Sequence, residues 1–77
     1  MWFYFHLRSD DGDDEDRDGV DLPSLAAARQ EAAIAAREMV AELVIHNERI
    51  DGKRFEIVDD SGAVVATVPF STVIDLE

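Results

Sequence analysis

No cysteine occurs in this chain, so a disulfide framework is excluded as its source of stability, and the absence fits a reducing compartment, with the cytoplasm as the expected location. Basic residues are scarce: seven Lys and Arg face eighteen Asp and Glu, a formal charge of −11. That balance argues against nucleic acid, whose binding rests on clustered cations displacing counterions, and against anionic membrane surfaces. No apolar run approaches the roughly 20 residues of a membrane-spanning helix, and no basic region precedes an apolar core at the N-terminus, so neither a membrane span nor an export signal is expected. The four glycines stand singly at turns, which leaves no phosphate-cradling loop. Ser9, Ser24, Ser61 and Ser71 fall at loops, turns or caps without a nucleophile elbow. No enzyme is expected.

What the chain has in abundance is carboxylate. Asp10 to Asp18 holds seven acidic side chains in nine residues, between an aromatic strand and an alanine-rich helix. Asp14, Asp16 and Asp18 alternate and precede Gly19, matching positions one, three, five and six of a calcium loop of the EF-hand type. Position eight is Asp21 and position twelve is Leu25, so the bidentate final ligand is missing, and a strand rather than a helix enters the loop. Calcium on Asp14, Asp16 and Asp18 is therefore one expectation, against the more common case of a solvated acidic run. Acid–base catalysis by these carboxylates is not expected, because a hydrated loop offers no separated environments to drive two pKa values apart.

Seventy-seven residues make a single domain over 1–77, one that buries only about 60% of its unfolded surface and so calls for support from a partner subunit or an ion. Trp2 to Arg8 alternates, with Phe3, Phe5 and Leu7 on one face and Trp2, Tyr4, His6 and Arg8 on the other, which predicts a strand over 2–8. The acidic loop covers 9–19, and Val20 to Leu22 returns as a short extended segment before Pro23. Ser24 is a natural N-cap for a helix over 24–46 with eight alanines. Its core stripe is Leu25, Ala28, Ala32, Ala35, Ala36, Met39, Val40 and Leu43, while Ile34 and Ile45 lie near the opposite side. Strands over 54–59 and 63–68 flank the turn Asp59-Asp60-Ser61-Gly62, and a turn or tail fills 70–77.

The expected fold class is α+β, a two-layer arrangement of one long helix on a three- to four-stranded, mainly antiparallel sheet. Trp2 and Tyr4 on the uncovered sheet face, and Ile34 and Ile45 on the outer helix face, are the expected interface of a homo-oligomer. His6 beside the aromatics and His46 near the negative end of the helix dipole both have structural explanations, and no spacing recommends them as a metal pair.

The strings Tyr4-Phe5-His6-Leu7-Arg8, Asp18-Gly19-Val20-Asp21-Leu22-Pro23-Ser24-Leu25, Gly52-Lys53-Arg54-Phe55-Glu56-Ile57 and Pro69-Phe70-Ser71 together resemble a family of small bacterial proteins. That family, common in alphaproteobacteria, is catalogued only as a domain of unknown function. The resemblance spans nearly the whole chain and implies a cytoplasmic bacterial origin, with no activity, cofactor or catalytic residue attached; the loop here is more acidic than the family's usual short turn. The leading expectation is a small acidic, non-enzymatic interaction module that self-associates. Calcium binding through the loop is one alternative, and an antitoxin-like or regulatory role against a basic protein, by analogy alone, is another.

Overall fold

In the computed structural model, which describes residues 1–73, alternating and helical stretches resolve into β1 (Trp2–Arg8), β2 (Val20–Asp21), α1 (Leu25–Ile45), β3 (Arg54–Asp59), β4 (Val64–Pro69) and a 3-10 turn, Phe70–Val73. The four strands form one sheet in the order β2-β1-β3-β4, and each neighbouring pair is antiparallel. β1 meets β3 from Phe3, opposite Asp59, to Arg8, opposite Arg54. The helix lies on one face of this sheet, an α+β arrangement in two layers.

Local chemistry sets the ends of α1. Ser24 is extended, at φ −161°, and its hydroxyl oxygen accepts from the Ala27 N–H at 3.1 Å. At the far end Asn47 takes a left-handed φ of 57°, which carries the Glu48 N–H onto the Leu43 carbonyl at 2.8 Å and the Asn47 N–H onto that of Val44 at 3.1 Å. Last-turn carbonyls are thereby satisfied.

Ala28, Ala32 and Ala36, spaced i, i+4, i+8, are fully buried against Phe3, Phe55, Ile57 and Phe70. Their short side chains let the helix approach the sheet closely, while Leu25, Ala35, Met39, Val40 and Leu43 pack half-buried around that line. Three aromatics run across the core, the Phe5 and Phe55 rings 6.5 Å apart and edge-on, Phe55 and Phe70 5.4 Å apart and tilted. The 3-10 turn is drawn in by Phe70, which is buried and donates its N–H to the Lys53 carbonyl. α1 packs chiefly on β3, β4 and this turn. β1 is therefore covered less completely, and Phe5 and Leu7 remain half-exposed beside the helix.

Asp59 organises the hairpin. Its Oδ1 accepts from the Ser61 hydroxyl at 2.6 Å, the Ser61 N–H at 2.9 Å and the Ala63 N–H at 3.1 Å, and these contacts, the Ser61 hydroxyl first, hold its carboxyl below the ordinary value. An irregularity between Ile57 and Val58 shifts the register against the last strand, which runs Val64–Pro69 where the sequence predicts 63–68. Pro69 is tolerated because β4 is an edge strand, where a missing N–H removes no ladder bond. Ile74, expected to extend the C-terminal turn, lies outside the described residues. Among the described residues no helix is long and apolar enough to cross a membrane.

Candidate functional site

The acidic segment does not stand off the body as a solvated loop. Its carboxylates from Asp10 to Glu15 face solvent, but its backbone runs back along the outer edge of β1. Leu7 and Asp14 exchange both backbone hydrogen bonds at 2.8 Å, as an isolated antiparallel pair. Two residues up the strand, the Phe5 N–H donates to Asp16 Oδ2 at 3.1 Å, a carboxylate standing where a strand carbonyl would be. Further along, β2 takes over opposite Trp2 and Phe3, and the Leu22 N–H closes on the Met1 carbonyl at 2.8 Å. An exposed edge is thus paired along its length.

Asp16 is the pin of this arrangement. While Oδ2 holds Phe5, Oδ1 accepts from the Asp18 N–H at 3.1 Å and the Gly19 N–H at 3.2 Å, an Asx turn. Partial burial pushes the Asp16 carboxyl up, but the N–H groups of Phe5, Gly19 and Asp18, with His6 nearby, outweigh that and hold it below its ordinary value. Gly19 takes a φ of +70°, and a Cβ there would come within 2.6 Å of Tyr4 Cε2. The Tyr4 ring rests on this glycine, which is why Tyr4 is half-buried rather than open.

On the sheet face away from the helix, charge is neutralised locally. Arg8 Nε donates to Glu56 Oε1 at 2.8 Å across the β1–β3 pair, and Nη1 reaches Glu15 Oε1 at 3.1 Å and Asp13 Oδ2 at 3.3 Å. Hydrogen bonding to Glu56 and then Glu15 holds the guanidinium above its ordinary pKa. His6 is clamped by the same segment: Nδ1 accepts from the Asp16 N–H at 3.1 Å, and Nε2 lies 3.5 Å from Glu15 Oε2. Trp2 remains 47% exposed on this face. Tyr4, Val58 and Val64 form one cross-strand row beside it, in which Val58 is 8% exposed and Val64 55%.

The set expected for calcium is not brought together. Asp14 opposes Leu7, both Asp16 oxygens are held by backbone N–H groups, and Asp18 is exposed beyond the turn. Among the described residues no group of three or more His, Asp or Glu side chains is arranged to hold a metal ion. The half-match to a calcium loop has another origin: an aspartate whose carboxylate caps the N–H groups two and three residues on, followed by a left-handed glycine, gives the same Asp-x-Asp-Gly string. Of the expected interface residues, Trp2 lies on the open sheet face, Tyr4 is partly covered by Gly19, and Ile34 and Ile45 are 46% and 75% exposed on the outer helix face. Sequence reasoning missed the Arg8–Glu56–Glu15 network and the role of Asp16; the signal was Asp16 three residues before Gly19.

Comparison with curated proteins and with solved structures finds no match. A family model matches residues 2–71, from the first residue of β1 into the 3-10 turn, and so takes in the whole sheet, the helix and the acidic segment. The chain belongs to the family described as domain of unknown function DUF6894.

Proposed function

We propose that this protein is a cytoplasmic, non-enzymatic interaction module that self-associates through its open sheet face. The observation that carries this reading is the pair of exposed apolar side chains on the open sheet face: Trp2 and Val64, 47% and 55% exposed, beside the better-covered Tyr4 and Val58 of the same cross-strand row. Exposed apolar side chains grouped on one face mark contact surfaces, where the same residues scattered singly would not. A twofold contact would lay this row against its own copy, closing the assembly at a dimer. Three of the four serine hydroxyls have structural partners: Ser24 caps α1, Ser9 donates to the Gly12 carbonyl and Ser61 to Asp59.

Each copy carries −11, so association works against like-charge repulsion and should strengthen with salt. The chain has one tryptophan, so its emission reports this face directly. Sedimentation at tens of micromolar should show a dimer, with Trp2 emission shifting to the blue as concentration rises. Trp2→Asp and Val64→Lys should each yield monomers, and Ile34→Glu should not. A monomer at every concentration and salt refutes the reading, and loss of the dimer in Ile34→Glu alone moves the contact to the helix.

A further inference from the structure

The opposite side of β1 carries a second surface. Because α1 sits over β3, β4 and the 3-10 turn, a groove of about 190 Å³ stays open between the helix and the acidic segment. Its floor is Phe5, Leu7, Met39 and Phe55, and its other wall is Asp14, Glu15 and Asp16. Two of those acids are engaged elsewhere: Glu15 lies against Arg8 and His6, and Asp16 holds three backbone N–H groups. Asp14 is different. Residues directly opposed in an antiparallel pair project to the same face, so Asp14, paired with Leu7, stands on the helix side, and it forms no ion pair among the described residues.

We propose that this groove receives a lysine side chain from an extended basic segment of a partner protein, its stem on Phe5, Leu7 and Met39 and its ammonium on Asp14. An apolar floor ending at a free carboxylate matches an amphipathic cation, whose methylenes are buried while the charged head stays at the mouth. The groove is smaller than the roughly 300–1,000 Å³ clefts that enclose small ligands, and suits one side chain. A second copy meeting groove to groove is disfavoured, because it would bring the Asp14–Asp16 walls of both copies together. The rest of the acidic segment steers a basic partner toward the site. This surface faces away from the open sheet face, so it stands or falls independently of self-association.

The probe is a short peptide of alternating lysine and leucine, titrated into the isotope-labelled full chain by NMR, with oligolysine of equal charge and a glutamate–leucine peptide as controls. The lysine–leucine peptide should bind saturably and more tightly than oligolysine, with the largest shifts at Leu7, Asp14 and Met39, and the acidic peptide should not bind. Asp14→Asn should weaken binding about threefold to fivefold, as for one solvent-accessible ion pair, while Asp60→Asn, the same charge change on the distant hairpin, should leave it unchanged. Met39→Asp separates groove docking from general attraction: it blocks the floor yet adds negative charge, so docking predicts about tenfold weaker binding and general attraction predicts stronger. Should Met39→Asp unfold, the pair Asp14→Asn and Asp60→Asn decides, since both side chains are exposed. Equal effects from those two, tighter binding by Met39→Asp, or absence of saturable binding overturns the proposal. So does loss of self-association in Asp14→Asn, which would assign the groove to a second copy. Trp2→Asp should leave peptide binding intact.

Discussion

Replacing Asp16 with alanine removes the acceptor of three N–H groups at 3.1, 3.1 and 3.2 Å in one step. The Phe5 N–H is partly buried on the strand edge, and leaving it without a partner costs about 1–3 kcal/mol. The N–H groups of Asp18 and Gly19 can turn to water and contribute about 0.5 kcal/mol each. The sum, about 2–4 kcal/mol, is a large part of the roughly 4–12 kcal/mol typical for 77 residues. Asp16→Asn keeps an oxygen for the Asx turn but presents either an amide or an uncharged oxygen to Phe5, and should lose about half as much. The effect should depend on pH with a definite sign. A carboxyl held below its ordinary value of 3.8 contributes stability that is present above that value and lost as pH falls through the lower, folded one. The gap between wild type and Asp16→Ala should therefore be constant near neutrality and close below pH 3.8, whereas that for Asp16→Asn should close less. Urea unfolding followed by circular dichroism across pH measures both, and amide exchange at Phe5 should accelerate in Asp16→Ala. Asp18→Ala makes the same charge change without removing an acceptor. If it costs as much as Asp16→Ala, or if the gap persists in acid, the pin is not Asp16.

Two further outcomes follow from burial and from the acidic segment. Ile57 has no exposed surface, so Ile57→Ala should cost about 2–5 kcal/mol and unfold much of the population, while Leu43→Ala, half-buried at the helix margin, should cost less; urea midpoints in the reverse order would misplace the core. Calcium, magnesium and sodium at matched ionic strength should raise the melting temperature alike by screening, because both Asp16 oxygens are already occupied. A calcium-selective rise abolished by Asp18→Asn would restore the loop as an ion site.

The sequence disclosed those parts of the fold whose physics is periodic or local. β1 alternates because one of its faces meets the helix side, and Ser24 announces α1 because the first-turn N–H groups need an acceptor. Asp59 to Gly62 reads as a hairpin connection for the same local reason. The path of the acidic segment was hidden, since its link to β1 runs through backbone groups of Leu7 and Asp14 and one carboxylate, none of which leaves a pattern in side-chain hydrophobicity. The groove was equally hidden: that Met39 and Leu7 share a cleft depends on α1 sitting off-centre over β3 and β4, a tertiary offset no helical wheel carries. For the candidate site, Trp2 was legible as an outward aromatic, whereas Tyr4 is shielded by Gly19, a residue fifteen positions later.

The pairing of β1 with the acidic segment also bears on how the chain reaches its fold. β1 is the most aromatic stretch of the sequence and carries a single formal charge, at Arg8, the type of segment that stacks with its own kind when exposed. Its long partner, β3, begins some 46 residues after β1 ends, behind the entire helix. A loop closure of that length is slow compared with a local turn. The acidic segment arrives at once, sets a partner on one edge through Leu7 and Asp14, and surrounds that edge with carboxylates that repel another copy. Until β3 is made, the run from Asp10 to Asp18 is the nearest partner for that edge along the chain, and shortening it should lower the yield of soluble protein more than it lowers the stability of what folds.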